Sequence, residues 1–196
     1  MENGLVTGAE KDEYIHVAVE KAHRLKQFVA SLFEWVKLDA GEQAYHFGAF
    51  DINEVSRNII AEWVPMLEAA GVAYEIEIPE TEYKVRLDPN AYTRVLNNLL
   101  QNMLAHSGAS YVRLRVTEGE KEAQIEVADN GKGVSPEDLP HLFERMYQCD
   151  HSRAGGGNGL GLSIAKELIS AHNGTIKAQS TPGQGMAFTV LLPKAP

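Results

Sequence analysis

Two asparagines, one aspartate and two glycine clusters carry the chemistry this sequence offers. Asn98 and Asn102 stand four residues apart in a stretch of helical apolar spacing, so they project from one face, a turn apart. Asparagine is a poor interior helix former. Its neutral amide carbonyl, however, is a hard oxygen donor of the kind Mg²⁺ accepts when phosphates and water supply its other ligands. A plain solvated helix face is the competing reading. Asp129 ends a β-patterned run and leads into Asn130-Gly131-Lys132-Gly133. A buried carboxylate there would accept from the exocyclic amine of adenine, where guanine offers an acceptor. ATP is therefore expected over GTP, such a charged hydrogen bond being worth about 1.5–3 kcal/mol. Asp-Asn-Gly is also good turn chemistry. The second cluster, Gly155-Gly156-Gly157-Asn158-Gly159-Leu160-Gly161-Leu162, runs into an apolar-periodic helix ending near Ala171. Glycines that admit close approach, set against the unpaired N–H groups of a helix start, make a phosphate site. Either cluster alone reads as a flexible surface loop. Together they predict a nucleotide lid over Asp129–Leu162, with Phe143 and Tyr147 in its middle.

The elements that must position these groups follow from periodicity. Residues 1–12 read as a disordered lead or vector-derived sequence. From Glu13 to about Leu38 the apolar residues Ile15, Ala18, Ala22, Leu25, Val29, Leu32 and Val36 keep a heptad seam. Val19, Phe28, Phe33 and Trp35 widen it, as in a helical bundle. At 1.5 Å per residue this helix is roughly 39 Å long. No second helix of that pattern follows, so its partner is expected outside this sequence; packing on the following domain is the alternative. Asp39-Ala40-Gly41-Glu42 marks a boundary.

Beyond it, short strands are predicted at Tyr45–Phe50, Val72–Ile78 and Tyr83–Leu87. Helices are predicted from Ile52 to Ala70, capped by Asp51, and from Asp88-Pro89 to about His106. Strands Ser110–Thr117 and Glu122–Ala128 form a hairpin, and Thr175–Ser180 and Met186–Leu192 follow the last helix. Helices and mostly antiparallel strands alternate without a regular βαβ repeat. The fold class is α+β, a two-layer sandwich of one sheet under helices.

Composition excludes several functions. The net charge of −9 over 196 residues argues against a general nucleic-acid binder. The single cysteine, Cys149, permits no intrachain disulfide and fits a reducing compartment. No apolar run reaches membrane-spanning length, and no signal peptide pattern opens the sequence, so a soluble intracellular protein is expected. His16, His23, His46, His106, His141, His151 and His172 show no metal spacing. There is no Gly-x-x-x-x-Gly-Lys-Ser/Thr loop, no Gly-x-Gly-x-x-Gly after a strand, and no nucleophile elbow.

Four ordered motifs carry a resemblance. Asn98-Leu99-Leu100-Gln101-Asn102, Asp129-x-Gly131-x-Gly133, Leu142-Phe143-Glu144-Arg145-Met146-Tyr147 and Gly157-x-Gly159-x-Gly161-Leu162 resemble the ATP-binding domain of bacterial sensor histidine kinases. That domain has the gyrase, Hsp90, kinase and MutL ATPase fold. The match covers about residues 45–193, and residues 13–40 look like the second helix of the dimerisation and phosphotransfer hairpin. The resemblance implies ATP and Mg²⁺ as cofactors, with Asn102 as the metal ligand and Asp129 as the adenine acceptor. Gly131, Gly133, Gly157, Gly159 and Gly161, with Leu160 and Leu162, would shape the lid and approach the phosphates. Phe143 and Tyr147 would pack it, and Arg145 and Arg153 are candidate phosphate partners. Asn98 stands where hydrolysing relatives carry a glutamate; an amide is no general base, which favours transfer over hydrolysis.

The implied partners are a phosphoacceptor histidine helix and a response regulator, in a homodimeric parent. The implied place is the cytoplasmic part of a membrane-anchored sensor. Three departures stand out. The phosphoacceptor motif is absent, because His16 and His23 lack its neighbours and fall on the outer face of the helix. Ala105 stands where a phosphate-binding lysine is usual, and Gln148 where an arginine often follows the lid aromatic. Lys132, Arg145 and Arg153 are then the remaining local cations. A nucleotide-binding regulatory module and a serine kinase of the anti-sigma type stay open as alternatives.

Overall fold

The computed structural model describes residues 9–149 and 159–196. Of the expected site residues, Arg153 and Gly157 lie outside them. The chain divides into two units, Met1–Glu42 and Gln43–Pro196, each considered by itself.

The first unit is one helix, α1 (Ala9–Asp39). It begins four residues before the expected Glu13, so residues 9–12 are helical rather than part of an irregular lead. It ends because Gly41 takes φ +68°, a left-handed conformation that a side chain resists. The chain then folds back to close the last carbonyls, Ala40 N–H on Val36 O at 2.9 Å and Glu42 N–H on Lys37 O at 3.0 Å. Its seam residues Ile15, Leu25, Val29 and Val36 are exposed, as are His16 and His23.

In the second unit, β1 (Gly48–Asp51) runs into α2 (Ile52–Ala69), followed by β2 (Ala73–Glu77) and β3 (Lys84–Leu87). Then come α3 (Pro89–Asn102), β4 (Tyr111–Glu118), β5 (Glu122–Asp129), α4 (Gly161–Ala171), β6 (Thr175–Thr181) and β7 (Gly185–Pro193). Both predicted caps form: the Asp51 carboxylate accepts from Asn53 N–H at 3.1 Å, and that of Asp88 from Ala91 N–H at 3.0 Å. Helix α3 does not continue to His106. It passes at Met103 into a π turn that Gly108 closes at φ +63°. Tyr45 and Phe47, expected in the first strand, precede it and stack on each other at 5.2 Å.

The main sheet has the order β2-β4-β5-β7-β6, with β2 parallel to β4 and every other pair antiparallel. Strands β1 and β3 make a separate antiparallel pair. Period-2 alternation puts Val112, Leu114, Val116, Ile125, Val127, Phe188, Val190 and Leu192 in the core. The buried stripes of the helices, led by Ile60, Leu67, Tyr92, Leu96, Leu99, Leu168 and Ile169, complete it. The opposite sheet face is polar and carries Arg113 paired with Glu126 at 2.8 Å and Arg115 with Glu77 at 2.5 Å. One dry face and one wet face give the expected two-layer α+β sandwich.

The ends of α3 and α4 are tied through a buried histidine. His172, which caps α4, has no exposed surface; its Nε2 accepts the Asp88 N–H at 3.0 Å. Nδ1 then carries the ring proton and donates to Leu168 O at 2.6 Å. Phe47 lies edge-on to the ring at 5.0 Å, and the second Asp88 carboxylate oxygen accepts from His46 N–H at 2.7 Å. Replacing His172 by Phe keeps the volume and orphans the Asp88 N–H. Urea unfolding is expected to show a loss of about 1–3 kcal/mol; unchanged stability would mean that this bond contributes nothing.

Candidate functional site

The best-defined part of the site is the end of β5. Asp129 is the last strand residue, flanked in register by Val112 of β4 and Met186 of β7, and its side chain is buried. One carboxylate oxygen accepts the Gly131 N–H at 2.7 Å. Burial raises the carboxyl above the usual aspartate range, while the Gly131 and Met186 backbone N–H groups pull it back. The turn chemistry of this segment belongs to its neighbour. Asn130 accepts from the Ser110 and Tyr111 N–H groups, both at 3.0 Å, and pins the strand end. Asp129 and Asn130 thus do different work, and both readings of Asp-Asn-Gly hold.

Glycines around Asp129 are required by crowding. A Cβ on Gly131 would collide with the Ser107 carbonyl oxygen and lie 2.8 Å from the Asp129 carboxylate. A Cβ on Gly133, which sits at φ +64°, would lie 2.5 Å from Thr181 O, and Val134 N–H donates to Ser180 Oγ at 2.9 Å. Gly185 is the tightest of all. It sits at φ +96°, and a Cβ there would overlap the Asp129 carbonyl oxygen. Nothing local in the sequence marks the approach of Gly185 to the end of β5.

The helices bring the second group. Asn98 and Asn102 are partly buried on one side of α3. Gly161, the first residue of α4, lies over Asn98, its Cβ position 3.7 Å from the amide oxygen. Leu160 at the N-cap of α4 makes no side-chain cap hydrogen bond, and the N–H groups of a helix start are the kind that receive an anion. The loop at Asp129 is bolted to the end of α3: Lys132 N–H donates to Ser107 O at 2.9 Å. Lys132 thus ties the Asp129 loop to the end of α3, and Gly161 sets the start of α4 against Asn98 of the same helix.

The lid residues are anchored differently. Leu142 and Leu160 are buried, and Leu162 is partly buried in the first turn of α4. Phe143 packs edge-on against Phe188 of β7 at 6.3 Å. Met146 N–H donates to Gly159 O at 3.0 Å, and Gly159 (φ +67°) admits no Cβ because Met146 backbone lies 2.7 Å away. The Tyr147 hydroxyl donates to Asp138 at 2.7 Å, a bond that pushes the phenol up to about 12 and holds the Asp138 carboxyl down. Arg145 is exposed. Tyr147 is engaged with Asp138, while Gly161 of the second glycine motif meets Asn98 and Gly131 of the first meets Asp129.

The donor set suits one kind of metal. Among the described residues no group of three or more His, Cys, Asp or Glu side chains could hold an ion. Amide oxygens alone give weak binding, so an ion here would need phosphates and water, which is how Mg²⁺ is held.

Comparison with known proteins agrees with this geometry. Residues 87–196 match the family described as histidine kinase-, DNA gyrase B-, and HSP90-like ATPase. Sensor histidine kinase YcbM of Bacillus subtilis is 31% identical over 186 residues, covering 93% of this chain and 60% of that protein. The chain spans between 33% and 60% of the length of the curated relatives it matches first. The structure of full-length ShkA in complex with AMPPNP superposes with a TM-score of 0.81 at 24% identity, over 99% of this chain and 41% of that one. The histidine kinase ThkA in complex with the response regulator protein TrrA gives 0.80 at 21% identity, over 100% and 55%. These two likenesses bear on the fold.

Two outcomes test the Asp129 corner. Its folded carboxyl lies above the unfolded value, so its contribution to stability is present at acid pH and is lost as pH rises through the folded pKa. Asp129→Asn should therefore melt higher than the native chain near neutrality, by a margin that shrinks toward pH 4. Gly185→Ala should lower stability by at least about 2 kcal/mol in urea titration, from overlap with Asp129 and positive φ together.

Proposed function

Because the chain belongs to the histidine kinase-, DNA gyrase B- and HSP90-like ATPase family, we propose that it binds ATP·Mg²⁺ and transfers the γ-phosphoryl to a histidine on a separate helix. The observation that carries this reading is the buried Asp129 carboxylate behind the Gly131–Gly133 loop, which is fastened to the end of α3. Asp129 accepts the adenine amine. The N–H groups that open α4, with Gly159 and Gly161 admitting close approach, receive the phosphates. Asn102 offers its carbonyl to Mg²⁺, which when bound neutralises charge on the transferring phosphoryl.

Asn98 cannot take a proton from water, so the site holds and orients instead of hydrolysing. Positioning and charge neutralisation are most of what phosphoryl transfer needs. Phe143, Tyr147 and Leu160 hold the lid, and Arg145 and Arg153 are the candidate phosphate partners within it.

The acceptor helix, a homodimeric parent and a response-regulator partner are supported by the exposed seam of α1 and by what the relatives are. A heptad face showing Ile15, Leu25, Val29 and Val36 to water fits an element meant to pair. No helix among the described residues is long and apolar enough to cross a membrane. The proposed setting is the cytoplasmic side of a membrane-anchored sensor. A nucleotide-holding module without transfer is the second reading, favoured by Ala105 and Gln148, where cations are missing.

One experiment separates the two. The purified chain is mixed with a separately made phosphoacceptor hairpin, γ-labelled ATP and Mg²⁺. Labelled histidine on the hairpin supports transfer, and the chain alone should stay unlabelled. Binding without transfer would leave the second reading. Asp129→Asn should weaken ATP by about tenfold to a hundredfold, the cost of one charged hydrogen bond. Asn102→Ala should weaken ATP only when Mg²⁺ is present.

A further inference from the structure

We propose that the trough between α2 and α3 is the docking site for a basic amphipathic helix of a partner protein. Ser56 Oγ lies 2.9 Å from the Tyr92 hydroxyl, and Trp63 Nε1–H donates to Asn97 Oδ1 at 2.7 Å. The two helices therefore run side by side in the same direction. Around the second contact lies a trough of about 570 Å³, walled by Glu62, Trp63 and Met66 on one side and by Asn97, Gln101 and Leu104 on the other. From Asn97 to Leu104 is roughly 10 Å of helix, about two turns.

The floor of the trough is apolar and its rim accepts hydrogen bonds. Met66 is 52% exposed, on a helix whose Ile59, Ile60, Trp63 and Leu67 are buried. Its flexible thioether adapts to whatever packs on it. Glu62 is exposed at the rim, and no Lys, Arg or His lines the trough. Pro65 stands inside α2 and has no N–H, so the carbonyl of exposed Ala61, next to Glu62, lacks its usual helical partner. A carboxylate beside such a carbonyl calls for Lys or Arg. Exposed Glu54 and Glu68 add to the acidity of α2, while its one cation, Arg57, is turned onto Pro79 O at 2.6 Å. Two turns of apolar floor under an acidic rim suit a helix with apolar anchors a turn apart and basic residues flanking them. Exposed Glu62, Met66 and Gln101 leave the trough open, as a helix requires and an enclosed small molecule does not.

The chain carries its own reporters, because Trp35 and Trp63 are its two tryptophans, one in each unit. The indole N–H of Trp63 is bonded to Asn97 in the trough wall, so its NMR signal responds to an occupant. The probe is a synthetic peptide of about four helical turns, with leucines along one face and lysines flanking them. A second peptide carries glutamate in place of lysine. Both are titrated into the native chain, Glu62→Lys and Met66→Gln, each changed at an exposed position, and thermal melts check that the variants fold.

The lysine peptide is expected to shift the Trp63 signal and leave that of Trp35 in place. Glu62→Lys should bind the lysine peptide about fivefold more weakly, and the glutamate peptide more tightly than the native chain does. Met66→Gln should weaken the lysine peptide by about fivefold through lost apolar burial. No movement of Trp63, or movement of Trp35 alone, overturns the proposal. So does equal binding of the lysine peptide by the native chain and Glu62→Lys, since the overall charge would then be the attraction. If the Trp63 signal moves with protein concentration before any peptide is added, a second copy covers the trough and the partner helix is ruled out.

Discussion

The backbone around the end of β5 leaves no room for side chains, and the rest of the site takes its position from that crowding. Asp129 ends a strand with paired neighbours on both sides, so its backbone is fixed by two ladders. Gly131 and Gly185 then bring two further segments into contact with the same residue. The carboxylate is left buried, held by the Gly131 N–H and drawn on by that of Met186. Burying a carboxylate costs stability unless it is fully satisfied, and its raised pKa records that cost. A ligand amine that completes the hydrogen bonding recovers part of it. On the proposed reading, recognition of the base is thus stored as local destabilisation of the free domain.

From this corner the geometry propagates along α3 and α4. Lys132 N–H on Ser107 O fastens the Asp129 loop to the end of α3. At the other end of the same helix, Asp88 caps α3 and donates its own N–H to His172 at the close of α4. The two helices are therefore clamped at one end through His172, and at the other Gly161 approaches Asn98. A shift of either helix must break a buried hydrogen bond or open the Asn98–Gly161 contact. That ties the amide row to the α4 terminus, while Phe143 packs on Phe188 of β7 and Tyr147 bonds to Asp138 within its own segment.

Much of this was legible in the sequence, and what escaped has a common cause. Period-2 and period-3.6 patterns located every strand and helix to within a few residues, because burial on one face imposes those periods. Asp51, Asp88 and Gly71 acted as caps and stops as their chemistry requires. The ordered glycine motifs, read with the acid and amides beside them, pointed to one site. The misses are all long-range or cumulative. Gly185 looks like any turn glycine until its distance from Asp129 is known. His172 reads as a helix-end polar residue, yet it is buried because Tyr45, Phe47 and Asp88 converge on it from far away in sequence. The π turn has no residue signature: the apolar spacing of Leu99, Leu100 and Met103 continues smoothly through it, and only the backbone closure at Ser107 and Gly108 forces the extra residue.

Charge is the remaining constraint, and here net and local values diverge. The chain carries −9, which for a polyanion ligand would be unfavourable if it acted as a whole. Much of the charge on the open sheet face is internally matched: Glu77 engages Arg115 and Glu126 engages Arg113. Unmatched surface charges more than about 8 Å away are largely screened at physiological salt. The ligand therefore feels mainly what lies within one Debye length: the N–H groups opening α4, Lys132, and the ionisable groups of the α3 end and the lid. Helix-terminal dipoles amount to only about half a charge. A site so constituted cannot depend on a standing excess of cations. On the proposed reading it recruits Mg²⁺ with the nucleotide, which makes affinity a property of the complex more than of the free domain.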